Sequence, residues 1–132
     1  KMKAIGKALK KLGARPDMIL TSPLVRARET AEIVAKALAV EEKLMQAPEL
    51  ACGCGLRRLA KLLEAKGNPE SVMVVGHEPD FSVMIGELIG TPEVEMKKGA
   101  VALVRVSGKV QPNNGTLAWL KPPKQLVAIA LG

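Results

Sequence analysis

Two short stretches of this 132-residue chain combine residue types that can handle an anion. The first is Thr21-Ser22-Pro23-Leu24-Val25-Arg26-Ala27-Arg28-Glu29-Thr30. Ser22-Pro23 follows a short apolar run and reads as a helix start, with Ser as N-cap and Pro at the first helical position. Free backbone N–H groups and the positive end of the helix dipole then point out past that run. Arg26 falls in the first turn, where a cation works against the dipole. An anion held in the guanidinium fork accounts for it, and a surface pairing with Glu29 or Thr30 is the alternative. The second stretch is Val74-Val75-Gly76-His77-Glu78-Pro79-Asp80. His77 is the chain's single histidine and stands between an apolar run and a helical pattern. Gly76 permits close approach of backbone to a ligand. A lone histidine is commonly no more than a satisfied polar group; its position at the end of a strand makes it a candidate for catalysis or phosphate binding.

The elements that must hold these stretches can be read along the chain. Met2, Ile5, Ala8, Leu9 and Leu12 share one face of a helix running from about Lys3 to Leu12, closed by Gly13. Met18-Ile19-Leu20-Thr21 reads as a buried strand, and Leu24, Ala27, Ala31, Val34, Ala35 and Leu38 recur at helical spacing after it. Residues 40 to 55 read as irregular. A helix is predicted over Leu56–Ala65, a strand over Ser71–Val75, and a helix over Asp80–Leu88, closed by Gly90 and Pro92. Ala100–Val106 and Thr116–Leu120 read as strands around the Asn113-Asn114-Gly115 turn signal, and the tail Leu126–Leu131 as a short edge strand. This alternation predicts one domain over 1–132, a three-layer α/β/α sandwich whose mostly parallel sheet has an antiparallel C-terminal part. Ligands of such sheets bind beyond the carboxyl ends of the strands, where both stretches fall.

Composition narrows the field. With 48% apolar and 25% charged residues the chain is ordinary globular material. It has no Tyr, one Phe and one Trp, which argues against a single-stranded nucleic-acid binder that stacks bases on aromatic rings. A net charge of +7 suggests an anionic partner, although Lys1, Lys3, Lys7, Lys10 and Lys11 read as a solvated helix face. Nucleic-acid binding would rest on net charge alone, and no nucleic-acid partner is expected. Cys52 and Cys54, one residue apart with no further Cys or His pair, read as free thiols rather than a zinc site. No apolar run approaches the roughly 18 residues of a membrane span, so no membrane partner is expected and the cytosol is the simplest address.

Ser22-Pro23-Leu24-Val25-Arg26-Ala27-Arg28-Glu29-Thr30-Ala31 resembles the Ser-Pro-Leu-x-Arg-Ala-x-x-Thr-Ala stretch of the histidine phosphatase superfamily, the relatives of the phosphoglycerate mutases. Gly76-His77-Glu78 is similar to that family's second-histidine motif. The short chain without cap insertions looks most like the SixA-type phosphohistidine phosphatases. The resemblance implies a hydrolase that removes phosphate from phosphohistidine on a protein, through a phosphohistidine enzyme intermediate and with inorganic phosphate as product. It makes Arg26 and His77 catalytic and, with Ser22, phosphate-binding. Glu49 becomes the candidate general acid, or else a solvated loop carboxylate, and no cofactor or metal is required. The family's attacking histidine stands in an Arg-His-Gly motif that does not occur in these residues. A strand and loop of roughly 25 to 40 residues ahead of Lys1 is therefore expected to carry it. The 132 residues alone are expected not to turn over. A small phosphorylated substrate, or a non-catalytic phosphate-binding scaffold, are the alternatives.

Overall fold

A computed structural model of the chain describes residues 2–132; Lys1, one of the lysines assigned to a solvated face, lies outside the described residues. Helix α1 (Met2–Lys11) buries Ile5, Ala8 and Leu9, three positions on one face at helical spacing, and stops at Gly13 in the left-handed region at φ +80°. Strand β1 (Met18–Thr21) follows, then α2 (Val25–Ala37), β2 (Leu44–Gln46), α3 (Leu56–Ala65), β3 (Val72–Val75) and α4 (Asp80–Ile89). The hairpin β4 (Val101–Val106) and β5 (Gly115–Lys121) leads into α5 (Pro123–Leu131).

β1 lies in the middle of a parallel sheet of order β2-β1-β3, while β4 and β5 form a separate antiparallel pair. Asp17 aligns the starts of β1 and β3: its N–H donates to the Ser71 carbonyl at 2.8 Å, and its carboxylate accepts the Ser71 N–H at 3.1 Å. Side chains alternate across the strands. Leu20, Val72, Val74, Val104 and Val106 face a core made by α3 and α4, with Leu59, Leu62, Leu63, Met84 and Leu88. On the other side Met73, Val101 and Trp119 meet Ile5, Leu9, Val34 and Leu126 of α1, α2 and α5. Ile19 packs on Ala31 and Ala35 of α2. Ile19 and Leu20 are fully buried, each contributing about 1.5–3 kcal/mol of transfer free energy.

Both sheets thus line the same two cores and form the middle layer of an α/β/α sandwich. Among the described residues, no strand pairs with the second edge of β3 or of β4. All four residues of β3 remain partly exposed despite their apolar character.

Two expectations are corrected. The tail is not an edge strand but α5, whose Pro at the helix start and buried Leu126 and Ala130, four apart, fit a helix packed on α1. The Lys11 ammonium secures it by donating to the Ala130 carbonyl at 3.0 Å. The irregular segment 40–55 contains β2, three residues long, flanked by 3-10 turns at Glu41–Lys43 and Pro48–Leu50. No helix among the described residues is long and apolar enough to cross a membrane.

Candidate functional site

Thr21 and Val75 are register partners at the ends of β1 and β3, and the pairing continues one step further, with the Ser22 N–H donating to the Val75 carbonyl at 2.9 Å. On the other side the Ala47 N–H donates to the Thr21 carbonyl at 2.8 Å. Three parallel strands therefore release their chains at one rim, and the segments that follow are Ser22–Leu24, Ala47–Gly55 and Gly76–Pro79. This is where the sandwich's architecture places a ligand.

Ser22 is fully buried at that rim. Its Oγ accepts the Leu24 N–H at 3.2 Å and lies 2.8 Å from Nε2 of His77, joining the two sequence motifs in a single contact across 55 residues. The expected helix start is corrected by two residues. Leu24, extended at φ −67° and ψ 144°, is the cap of α2, and Val25 is its first residue. Ser22 forms a local turn with the N–H two residues on instead of capping the helix, which leaves its hydroxyl available to His77. Arg26 remains in the first turn of α2 and is exposed, as are Leu24 and Val25 beside it. No acidic residue occupies that turn.

His77 is half-buried, at the point where the chain turns from β3 toward α4. On its Cβ side Gly76 faces the protein itself. A Cβ there would stand 3.0 Å from Cζ of Phe81 and 3.5 Å from the Leu50 carbonyl, so the close approach that glycine allows is by the protein's own ring. Glu78 accepts a short hydrogen bond from the Ser82 hydroxyl, which in turn accepts the Met96 N–H at 3.3 Å.

Asp80 is the residue the sequence reading missed. Its Oδ2 accepts the N–H groups of Gly53 at 2.9 Å and Cys54 at 3.0 Å, fastening the 51–55 loop to the first turn of α4. An acid in a first turn is ordinary helix chemistry, and nothing in the sequence announces that it reaches a loop 26 residues back. Glu49 is exposed in the 3-10 turn after β2, on this rim, and the structure gives it no link to His77. Burial pushes the Cys54 thiol above its usual range; Asp80 and Glu49 add to the rise and Arg58 opposes it. Cys52 is exposed, and both thiols are free.

A hollow of about 420 Å³ opens at the other end of β1, lined by Lys10, Arg15, Pro16 and Lys43 among others. It holds no histidine, cysteine or carboxylate, and the chemistry-bearing side chains gather at the opposite rim.

Residues 1–51 match the Histidine phosphatase superfamily (branch 1). The solved structure of the protein histidine phosphatase SixA complexed with tungstate superposes with a TM-score of 0.80, at 27% identity, over 96% of this chain and 81% of that one. The first 51 residues are thus similar to the histidine phosphatase superfamily, and the chain as a whole is similar in structure to SixA. Its fold is like that of SixA. A protein assigned as the phosphohistidine phosphatase SixA of Agrobacterium tumefaciens has the same fold, with a TM-score of 0.75 at 21% identity over 92% of this chain and 77% of that one. One from Nakamurella multipartitia follows at 0.60 and 19%, over 92% and 79%. An uncharacterised protein of Picosynechococcus sp. is 41% identical over 83 residues, 60% of this chain. The chain covers only 48% of that relative's length.

Proposed function

We propose that this chain supplies the arginine and the second histidine of a phosphohistidine phosphatase pocket. The observation that carries the reading is the Ser22–His77 contact at 2.8 Å, at the carboxyl rim of the parallel sheet, beside a first helical turn that presents an unopposed Arg26. Tungstate is a tetrahedral oxyanion of phosphate-like shape, and the SixA structure with which this chain shares its fold holds one.

In this mechanism Arg26 grips two phosphoryl oxygens through its planar fork and His77 donates to a third. Donors fixed in advance stabilise the charge that spreads over those oxygens in a loose transition state. A histidine attacks phosphorus as the phosphorus–nitrogen bond of the substrate phosphohistidine breaks, and the departing imidazole keeps the bond pair and a proton. Water then cleaves the enzyme's own phosphohistidine and releases inorganic phosphate. His77 is the only histidine in the 132 residues, so the attacking one belongs to a segment outside them. The unpaired edges of β3 and β4, set against shared cores, support the insertion of one extended strand between the two sheets. Such a strand, running parallel to β3, would end at the rim where His77 stands.

A nitrogen leaving group can depart already protonated, which removes the need for a dedicated acid. An exposed Glu49 with no link to His77 fits that requirement better than it fits a phosphomonoesterase. The test is substrate profiling of the complete protein with a phosphohistidine peptide, sugar phosphates and nucleotides. The peptide is expected to be hydrolysed in strong preference, and Arg26→Ala to lower kcat/KM by about 10- to 100-fold, the loss of one charge-assisted bidentate contact. Preference for the small phosphates would make the protein a monoesterase. Full activity in Arg26→Ala would remove the assignment.

A further inference from the structure

Ser22 holds more than a place in a turn. A serine hydroxyl offers one proton and two lone pairs. The Leu24 N–H occupies one lone pair of Ser22 at 3.2 Å, and Nε2 of His77 stands at 2.8 Å. Ser22 is fully enclosed, so its own proton must find an acceptor or a buried donor is forfeited. The neighbouring Thr21 hydroxyl gives its own proton to the Ser22 carbonyl at 3.0 Å. The ring nitrogen is the acceptor the fold supplies.

We infer that Ser22 is a positioning residue that donates its hydroxyl proton to Nε2 of His77, holding the neutral ring in the Nδ1–H tautomer and leaving Nδ1–H as the donor available to an anion. The reverse arrangement, with Nε2–H donating to Ser22, would orphan the hydroxyl proton and leave His77 with a bare lone pair on Nδ1. A lone pair repels phosphoryl oxygens, which accept hydrogen bonds and do not donate them. Hydrogen-bond accounting at Ser22 and the needs of an anionic ligand thus select the same tautomer. The structure gives His77 Nδ1 no hydrogen bond among the described residues, and since no buried side-chain nitrogen or oxygen there lacks a partner, Nδ1 must reach solvent. The same serine sets the turn that precedes α2, so one oxygen atom ties the Arg26 helix to the His77 loop.

The ligand half of this inference rests on the phosphatase reading; the tautomer half does not. The complete protein, labelled with nitrogen-15 histidine and with His77 assigned through a His77→Asn variant, is examined by long-range nitrogen–proton correlation in mildly alkaline solution. The expected spectrum has a protonated Nδ1 and a bare Nε2. Protonated Nε2 in the wild type would overturn the inference without any variant being made. Ser22→Ala is expected to shift the ring toward the Nε2–H form and to weaken inorganic phosphate binding about five- to tenfold, the worth of one hydrogen bond. Ser22→Thr, which keeps the hydroxyl, is expected to restore the tautomer. An unchanged ring in a folded Ser22→Ala protein would also overturn it. Should the wild type show the expected ring but bind no phosphate, the phosphatase reading fails and the tautomer assignment stands.

Discussion

At the scale of single residues, the site divides into side chains that face solvent and side chains that hold them. Arg26 is exposed and His77 half-buried, whereas Ser22 has no accessible surface. Removing His77 therefore deletes a functional group while unpairing one buried hydroxyl, worth about 1–3 kcal/mol. His77→Ala is expected to abolish most turnover while lowering the melting temperature by about 3–15 °C, with the fold retained. A collapse in stability with residual activity would recast His77 as a structural residue. Cys54 makes a different prediction. Its buried thiol holds its proton more tightly when folded than when unfolded. As pH rises through the range in which the unfolded thiol ionises, the unfolded state binds fewer protons than the native one, and stability falls. Denaturant midpoints measured up that alkaline range should decline, and Cys54→Ala should flatten the decline. Arg26 and His77 stand out in the sequence as candidates because each breaks a local expectation, a cation in a first turn and a lone histidine after a buried strand. Asp80 broke none, since its partners are backbone N–H groups whose location only the fold supplies.

At the scale of elements, long periodic segments were readable and short ones were not. Helices α1, α3 and α4 begin and end within a residue or two of where their apolar spacing and closing glycines put them. β2 has three residues, too few for alternation to register, and is a strand because β1 offers it a partner. In α5 the apolar run permits helix or strand, and packing on α1 decides. Two element-level tests follow from close contacts. A Cβ on Gly86 would meet the Glu93 Cα at 2.7 Å and the carbonyls of Pro92 and Thr91 at 2.9 Å each. These are backbone atoms that cannot rotate away, so Gly86→Ala should cost about 1–3 kcal/mol by denaturant unfolding; an unchanged midpoint would show that the segment after α4 is free to move. Asp80→Ala should release the 51–55 loop, and hydrogen exchange at the Gly53 and Cys54 amides should accelerate while amides in β1 stay protected. Uniform acceleration across the chain would mean that Asp80 supports the whole fold rather than one loop.

At the scale of the molecule, the three-layer sandwich and its mixed strand directions were legible from the order of helices and strands. The split of the middle layer into two sheets was not. Nothing in the residues of β3 distinguishes a strand paired on one edge from one paired on both, because the four apolar side chains point above and below the layer and not along it. The net charge of +7 belongs to this scale too. If the substrate is an acidic protein surface, raising ionic strength should raise KM for that substrate more steeply than for a small phosphorylated peptide. Equal salt dependence would confine the electrostatics to the phosphoryl group.

The Ser22–His77 contact joins segments 55 positions apart, with α2, β2, α3 and β3 threaded between them. No local fragment can hold both halves of such a cradle, so an oxyanion that settles there recognises the assembled sheet and ignores the unfolded chain. On the proposed phosphatase reading, phosphate in the buffer is a thermodynamic partner of folding. The melting temperature should climb with the logarithm of its concentration above Kd, and the size of the climb reports the affinity without any turnover being measured.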